Sequence, residues 1–120
     1  MARESGAGRL RDEQQRLLPL TPSVFFVLFA LAGGDKHGYA IMQQVGTLSD
    51  GQFRMGPGTL YTTIQRLLDL QLIEEVVSAS EGDTRRRYYR LGQAGKSVLD
   101  AELDRMHHIL KTASRMRFAT

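Results

Sequence analysis

The pattern of apolar and polar positions divides the chain into helix-like segments and one pair of strand-like segments. The first strong apolar run covers residues 22–32 and is apolar on nearly every side, so its periodicity alone does not exclude a buried strand. Thr21-Pro22 before it and Gly33-Gly34 after it are typical of helix ends, and they favour a helix. Residues 1–20, which mix charged residues with leucines, are expected to form an N-terminal arm or a short helix.

A second helix is predicted over residues 36–48, with Asp35 as its N-cap. Its apolar positions recur at helical spacing on one face. They are Gly38, Ile41, Met42 and Val45.

The third predicted helix begins at Pro57, with Gly56 as its N-cap. At roughly 3.6 residues per turn, its apolar side gathers Leu60, Ile64, Leu67, Leu68 and Gln71. The opposite side carries Thr59, Thr62, Gln65, Arg66 and Asp69, with Tyr61 and Thr63 on the flanks. Short hydrogen-bonding and cationic side chains suit base edges and phosphates in a major groove. Because any exposed helix is polar, this face alone favours nucleic acid only weakly.

A β-hairpin is predicted after the third helix. Residues 72–79 have the β-branched content of a strand, residues 80–84 resemble a turn, and residues 85–91 return as a second strand. Since neighbouring strand residues alternate between faces, one of Tyr88 and Tyr89 must point inward.

Positive charge concentrates on this hairpin. The net charge is only +3, with a sequence pI near 9.6, but four arginines fall within six residues. They are Arg85, Arg86, Arg87 and Arg90. Arginine suits phosphate recognition, although such a run by itself would fit a solvated turn equally well.

Two core helices, an amphipathic third helix and a basic hairpin, in that order, describe a winged helix-turn-helix. We therefore predict an α+β, mainly α fold with a DNA-binding domain over residues 21–92. The third helix would enter the major groove, and the hairpin would reach the neighbouring backbone or minor groove.

Residues 93–118 are predicted to form one long helix. Its apolar stripe comprises Leu99, Leu103, Met106, Leu110 and Ala113. A stripe of this length exceeds what a three-helix core can cover, so we expect a two-fold dimer through this helix. The alternative is a helix that covers only its own domain.

Several classes of protein are disfavoured. The chain has no cysteine, its longest apolar run is too short to span a bilayer, and its N-terminus lacks a secretory signal pattern, so a cytoplasmic protein is expected. His107 and His108 are adjacent on a helix and cannot chelate one metal, and residues 56–58 match no phosphate-binding fingerprint. His37 is expected to cap or pack rather than to catalyse. We therefore expect neither an enzyme nor a cofactor or metal.

Three blocks of the sequence resemble the PadR-like transcriptional regulators. They are LTPSVFFVLFAL with HGYAIMQQV, FRMGPGTLYTTIQRLLDLQLIE, and GDTRRRYYRLGQAGKSVL, which all lie within the 80-residue span 20–99. Gly56 and Gly92 stand where the family usually has Ser and Thr, and glycine is an acceptable N-cap at both places.

The resemblance implies a homodimeric repressor that binds operator DNA and is often released by a small aromatic ligand. Thr59 and Tyr61 match positions held against the DNA backbone, Arg66 matches a basic position on the same helix, and Arg85, Arg86 and Arg87 match the charged tip of the wing. In short members a tryptophan of the last helix helps to hold the ligand, and this chain has none. Met106, His107, Leu110 and Phe118 could line a pocket opposite Phe25, Phe26 or Phe29.

A protein–protein module built on the same fold is the rival interpretation. Such a surface does not need Arg66, the tyrosine flank and three wing arginines on one side. The distribution of charge therefore favours DNA.

Overall fold

The structure is a computed structural model that describes residues 15–77 and 87–119. It confirms the predicted bounds of the first helix and the predicted start of the third. Its elements are α1 (Pro22–Ala32), β1 (Lys36–His37), α2 (Gly38–Leu48), α3 (Pro57–Asp69), β2 (Ile73–Val76), β3 (Tyr88–Leu91) and α4 (Gln93–Ala119). The Thr21 hydroxyl accepts a hydrogen bond from the Val24 amide at 3.4 Å and caps α1, as predicted. The mainly helical winged fold with a long last helix is confirmed.

The start of α2 differs from the prediction. His37, not Asp35, is the N-cap: its Nδ1 accepts a hydrogen bond from the Ala40 amide at 3.2 Å. Lys36 and His37 are extended because they form β1, which pairs with β3. The predicted capping role of Asp35 and the helical state of Lys36 are therefore wrong, while the capping role of His37 is confirmed.

The end of α3 also corrects one assignment. Leu60, Ile64 and Leu67 are buried as expected. Gln71 lies beyond the helix with a φ of 59° and is exposed, so it does not extend the apolar side.

The three strands form an antiparallel sheet in the order β1-β3-β2. Both hairpin strands are shorter than predicted, and residues 78–86, with the predicted turn, lie outside the described part. Tyr89 is only 3% exposed, whereas Tyr88 is half-buried with its ring edge-on to His37. The expectation that one of the two tyrosines points inward is confirmed.

The core joins the first turns of α4 to the three preceding helices. Val98 and Leu99 belong to the same buried cluster as Val27, Ile41 and Leu60. Much of α4 beyond these residues is exposed. The helix thus serves its own domain at its N-terminal end and leaves the rest of its length uncovered.

Gly95 allows α4 to lie against Leu72, just before the start of β2. A Cβ atom at this position would lie 2.0 Å from the Leu72 carbonyl oxygen, far inside van der Waals contact. The Gly92 amide donates to the same carbonyl at 2.9 Å. These two glycines fix the angle at which α4 leaves the domain.

Glu102 ties the segment before α1 to α4. Its side chain is fully buried, accepts a hydrogen bond from the Leu20 amide at 2.8 Å and forms an ion pair with Arg105. The Arg105 hydrogen bond lowers the pKa of this carboxyl and outweighs the opposing effect of burial, and the Leu20 amide lowers it further. The carboxylate therefore stays charged inside the domain.

None of the helices in residues 15–77 and 87–119 combines the length and the apolar character needed to cross a bilayer.

Replacing Glu102 with Gln should lower the free energy of unfolding by about 1 kcal/mol at neutral pH, since a charge-assisted bond becomes a neutral one. The lowered pKa means that the carboxylate contributes fully above its ordinary value of 4.5 and loses this contribution as the pH falls through the folded-state pKa. Urea unfolding at several pH values should show the two proteins converging in acid. The variant Asp104→Asn, at an exposed acid of the same helix, should have a free energy of unfolding close to that of wild type at all pH values. If the difference between Glu102→Gln and wild type did not change with pH, the charge explanation would be wrong.

Candidate nucleic-acid interface

The N-terminal turn of α3 is open to solvent. Gly56 provides the N-cap without any side-chain hydrogen bond, and Pro57 occupies the first turn. Residues 56–59 are all exposed. The amides of this turn are thus available to an anion, and the helix dipole favours one there.

The exposed face of α3 carries four of the predicted contact residues, namely Thr59, Thr62, Gln65 and Arg66. Gln65 Nε2 donates to Asp69 Oδ1 at 3.0 Å, which leaves its amide oxygen free to accept. These side chains form a short polar surface along the helix.

Thr63 is not part of this surface. It is 7% exposed, and its hydroxyl donates to the Thr59 carbonyl oxygen at 2.8 Å within the helix. A threonine on the flank can turn its hydroxyl back to the preceding turn and bury its methyl group. Its predicted role at the interface has no support from this position.

Tyr61 lies on the flank of α3 that faces the wing. Its side chain is half exposed and borders an open cleft of about 560 Å³. The cleft is lined by His37, Gly38, Tyr39, Ala40, Gln43, Tyr61, Arg87 and Tyr89. Residues from the start of α2, from α3 and from the wing therefore meet on one surface.

Arg87 supplies the positive charge at this cleft. Its Nε lies 3.5 Å from Glu75 Oε2, and the two side chains are 72% and 40% exposed, so this ion pair contributes little to stability. Burial raises the pKa of Tyr89 and nearby Glu75 adds to the effect, while Arg87 opposes it. Tyr89 is therefore a neutral phenol at physiological pH, next to a guanidinium that an anion could draw away from Glu75.

Arg90 is engaged elsewhere. Its guanidinium binds the Asp35 carboxylate through Nε and Nη2, with distances of 3.2 Å to Oδ1 and 2.9 Å to Oδ2. This fork joins β3 to the turn before β1. Of the other three arginines in the basic run, Arg87 is described, while Arg85 and Arg86 lie outside the described residues.

Arg66 occupies the flank of α3 opposite Tyr61. It borders a small cleft with Arg16, Leu20 and Leu70, where the segment before α1 approaches the end of α3. The polar face of α3 thus has a tyrosine on the wing side and an arginine on the other.

The exposed part of α4 carries several large apolar side chains among charged ones. Leu99 is 3% exposed and belongs to the core of its own domain, while the later residues of the predicted stripe are accessible. The large exposed apolar side chains of this helix are Leu103, Met106, Ile109, Leu110 and Met116. Ala113 is also exposed. The side chain of Phe118 falls outside the described part.

A metal centre finds no support in the part of the chain that the structure describes, where no three His, Asp or Glu side chains are grouped closely enough to hold an ion. His107 and His108 are both exposed on α4.

The fold and this surface define a winged helix-turn-helix protein of the DNA-binding class. The model of the Transcriptional regulator PadR-like family matches residues 27–101. The chain belongs to this family of transcription regulators.

Several known proteins are similar to this chain in sequence or in fold. An uncharacterized protein X from Lysinibacillus sphaericus is 32% identical over 65 residues, 54% of this chain and 60% of that protein's length. A PadR family transcription regulator from Clostridium difficile is 25% identical with a TM-score of 0.68, over 80% of this chain and 98% of that one. Bacillus subtilis PadR, solved in complex with operator DNA, shares the fold at 20% identity and a TM-score of 0.60, over 72% of this chain and 48% of that one.

The structure adds one group of residues to the interface predicted from the sequence. His37, Gly38 and Tyr39 lie at the cleft beside Tyr61, whereas the sequence predicted capping or packing for His37 and the apolar face of the second helix for Gly38. The sequence signal was the His-Gly-Tyr motif itself. No local feature of the sequence, however, indicates that this motif lies against the third helix.

Proposed function

We propose that this chain is a cytoplasmic, homodimeric transcriptional repressor that binds a pseudo-palindromic operator in duplex DNA. The observation that carries the proposal is the cleft shared by Tyr61 of α3 and Arg87 of the wing, because one DNA backbone could contact both. The operator complex of Bacillus subtilis PadR, which has the same fold, supports this proposal by analogy.

The proposed major-groove surface is the exposed face of α3. Thr59, at its open first turn, is suited to a phosphate, and Tyr61 is suited to the neighbouring backbone. Thr62 and Gln65 occupy the centre of the face, where short donors and acceptors can reach base edges. Arg66, on the far flank, would contact either a guanine or a second phosphate.

The proposed wing contacts are Arg85, Arg86 and Arg87. Arg87 is favoured because its present partner, Glu75, is an exposed acid at a long distance of 3.5 Å. Arg90 is excluded from this set, because its guanidinium is held by two hydrogen-bonding atoms on Asp35.

The proposed dimer forms through α4. At 27 residues this helix is about 40 Å long, and its exposed apolar side chains are more than an isolated domain needs to leave in water. Leu103, Met106, Leu110 and Ala113 would face the partner, while Leu99 supports the helix from within its own domain. The two copies of α3 would then dock about one DNA turn, ~34 Å, apart.

A small aromatic effector completes the proposal. A cleft of about 740 Å³ separates the segment before α1 from α4, bordered by Leu18, Ala101 and Ile109 among polar neighbours that include His107. The cleft lies on the side of α4 that carries His108, away from the proposed dimer face. A planar apolar ligand bound there could shift α4 against its own domain and so alter the spacing of the two α3 helices.

The dimer is tested by replacing Leu103 and Leu110 together with Glu. Burying a leucine contributes about 1.5–3 kcal/mol, so removing both from each subunit should raise the dimer dissociation constant by more than about a hundredfold and weaken operator binding. Sedimentation velocity and DNA titration measure the two effects. The variant His108→Glu, on the opposite side of α4, is the control; a monomeric variant that bound its operator at full strength would defeat the proposal.

Salt titration of duplex binding separates phosphate contacts from base contacts. Arg87→Ala should reduce the salt slope by about 0.9 for each phosphate that Arg87 neutralises and leave the preferred half-site unchanged.

Arg66→Ala should cost about 1–3 kcal/mol of binding free energy and relax the preference at one base if Arg66 contacts a guanine. Selection from a random pool supplies the duplexes. Weak binding to every duplex, independent of salt, would favour the protein–protein module.

Replacing Glu75 with Gln should tighten DNA binding by up to about fivefold, because Arg87 no longer leaves an ionic partner worth about 0.2–1 kcal/mol. The matched control is Glu74→Gln, which removes the same charge from the adjacent strand residue. Fluorescence anisotropy with one duplex measures both variants. An equal gain in DNA affinity in the two variants would mean that only the net charge matters, and it would contradict a specific role for Arg87.

A further inference from the structure

Gly38 lies against the side chain of Tyr61, and this contact leaves no room for a Cβ atom at position 38. It is the first residue of α2 and is buried. A Cβ atom at this position would lie 2.5 Å from the Tyr61 hydroxyl oxygen, 3.0 Å from Cζ and 3.3 Å from Cε1. The hydroxyl end of the tyrosine therefore rests directly on the main chain of α2.

The need for glycine at this position is a matter of contact, not of backbone conformation. Gly34 and Gly51 have positive φ angles, but Gly38 does not. Any L-residue could adopt the backbone of Gly38 if Tyr61 moved. The glycine is thus explained by the tyrosine that lies over it.

The position of Gly38 is set by the wing rather than by α3. The preceding residue, His37, pairs with Tyr88 in β3 and its ring packs edge-on against Tyr88 at 5.4 Å. Two residues further back, Asp35 holds Arg90 of the same strand. The start of α2 is therefore attached to β3, and Tyr61 of α3 is braced against this attachment.

We propose that Gly38 is a positioning residue for DNA binding. It fixes the Tyr61 hydroxyl at the edge of the shared cleft, so that Tyr61 and Arg87 meet one DNA backbone together. The proposal rests on the DNA-binding function proposed above. It assigns to the His-Gly-Tyr motif a role in aligning the third helix with the wing.

The test compares Gly38→Ala with Gly46→Ala. Gly46 lies in the same helix, and a Cβ atom there would meet nothing within 4 Å. In titrations of a duplex recovered from a random pool, Gly38→Ala should weaken binding about tenfold per half-site, the effect of removing one hydrogen bond to a charged group. Gly46→Ala should bind like wild type.

A double-mutant cycle with Tyr61→Ala separates positioning from folding. If Gly38 acts through Tyr61, adding Gly38→Ala to Tyr61→Ala should cause no further loss of affinity. An equal loss in both backgrounds, accompanied by a lower melting temperature, would mean that Gly38 only supports the fold and would overturn the proposal. Wild-type affinity in Gly38→Ala would overturn it as well.

A second readout is independent of DNA. In protein labelled with 3-fluorotyrosine, the fluorine NMR signal of Tyr61, assigned with Tyr61→Phe, should move in Gly38→Ala and stay in place in Gly46→Ala. An unmoved signal in Gly38→Ala would overturn the contact. If instead the signal moves but Tyr61→Ala binds DNA at full strength, Tyr61 does not contribute to DNA binding. Gly38 then contacts Tyr61 without any role in positioning it for DNA.

Discussion

The pairing of β1 with β3 is the interaction on which the proposed DNA-facing side of the molecule depends. Two residues, Lys36 and His37, add an edge to the hairpin and thereby attach the start of α2 to the wing. His37 then serves both as a strand residue and as the N-cap of α2, and Asp35 is free to bind Arg90. Without this pairing, the wing would be held to the helices mainly by the apolar contacts of Tyr89 and its neighbours. The cleft that joins Tyr61 to Arg87 would have no fixed width.

The long helix α4 divides into two parts with different partners. Its first turns complete the core through Val98, Leu99 and the buried Glu102, and the glycines at 92 and 95 let it approach the Leu72 carbonyl. The remainder projects with its apolar side chains in water, which is consistent with a partner helix. Because one helix carries both parts, a change in how two copies of α4 meet in the proposed dimer would be transmitted to the domain that carries α3.

The charges of the wing show how similar side chains acquire different roles. Arg87 and Arg90 are three residues apart in one short stretch. Arg90 faces Asp35 and is held by two nitrogen contacts, whereas Arg87 faces the cleft with a distant, exposed carboxylate as its partner. A bidentate pair is strong and geometrically fixed, and a long surface pair is easily exchanged. The first suits a structural joint, and the second suits a contact that forms on binding.

The sequence by itself determined the helices, the hairpin, the family resemblance and the polar face of α3. These depend on local signals: the Thr21-Pro22 and Gly56-Pro57 helix starts, helical spacing of leucines, and the β-branched run before the arginines. Only the tertiary structure decided that His37 rather than Asp35 caps α2, that Thr63 turns inward, and that Gly38 lies beneath Tyr61. The cap at His37 and the contact of Gly38 follow from how separate segments meet in space. The Thr63 hydroxyl bonds within its own helix, and only the burial of this residue comes from tertiary packing. A two-residue strand has no pattern of its own, and the cleft exists only where α2, α3 and the wing converge.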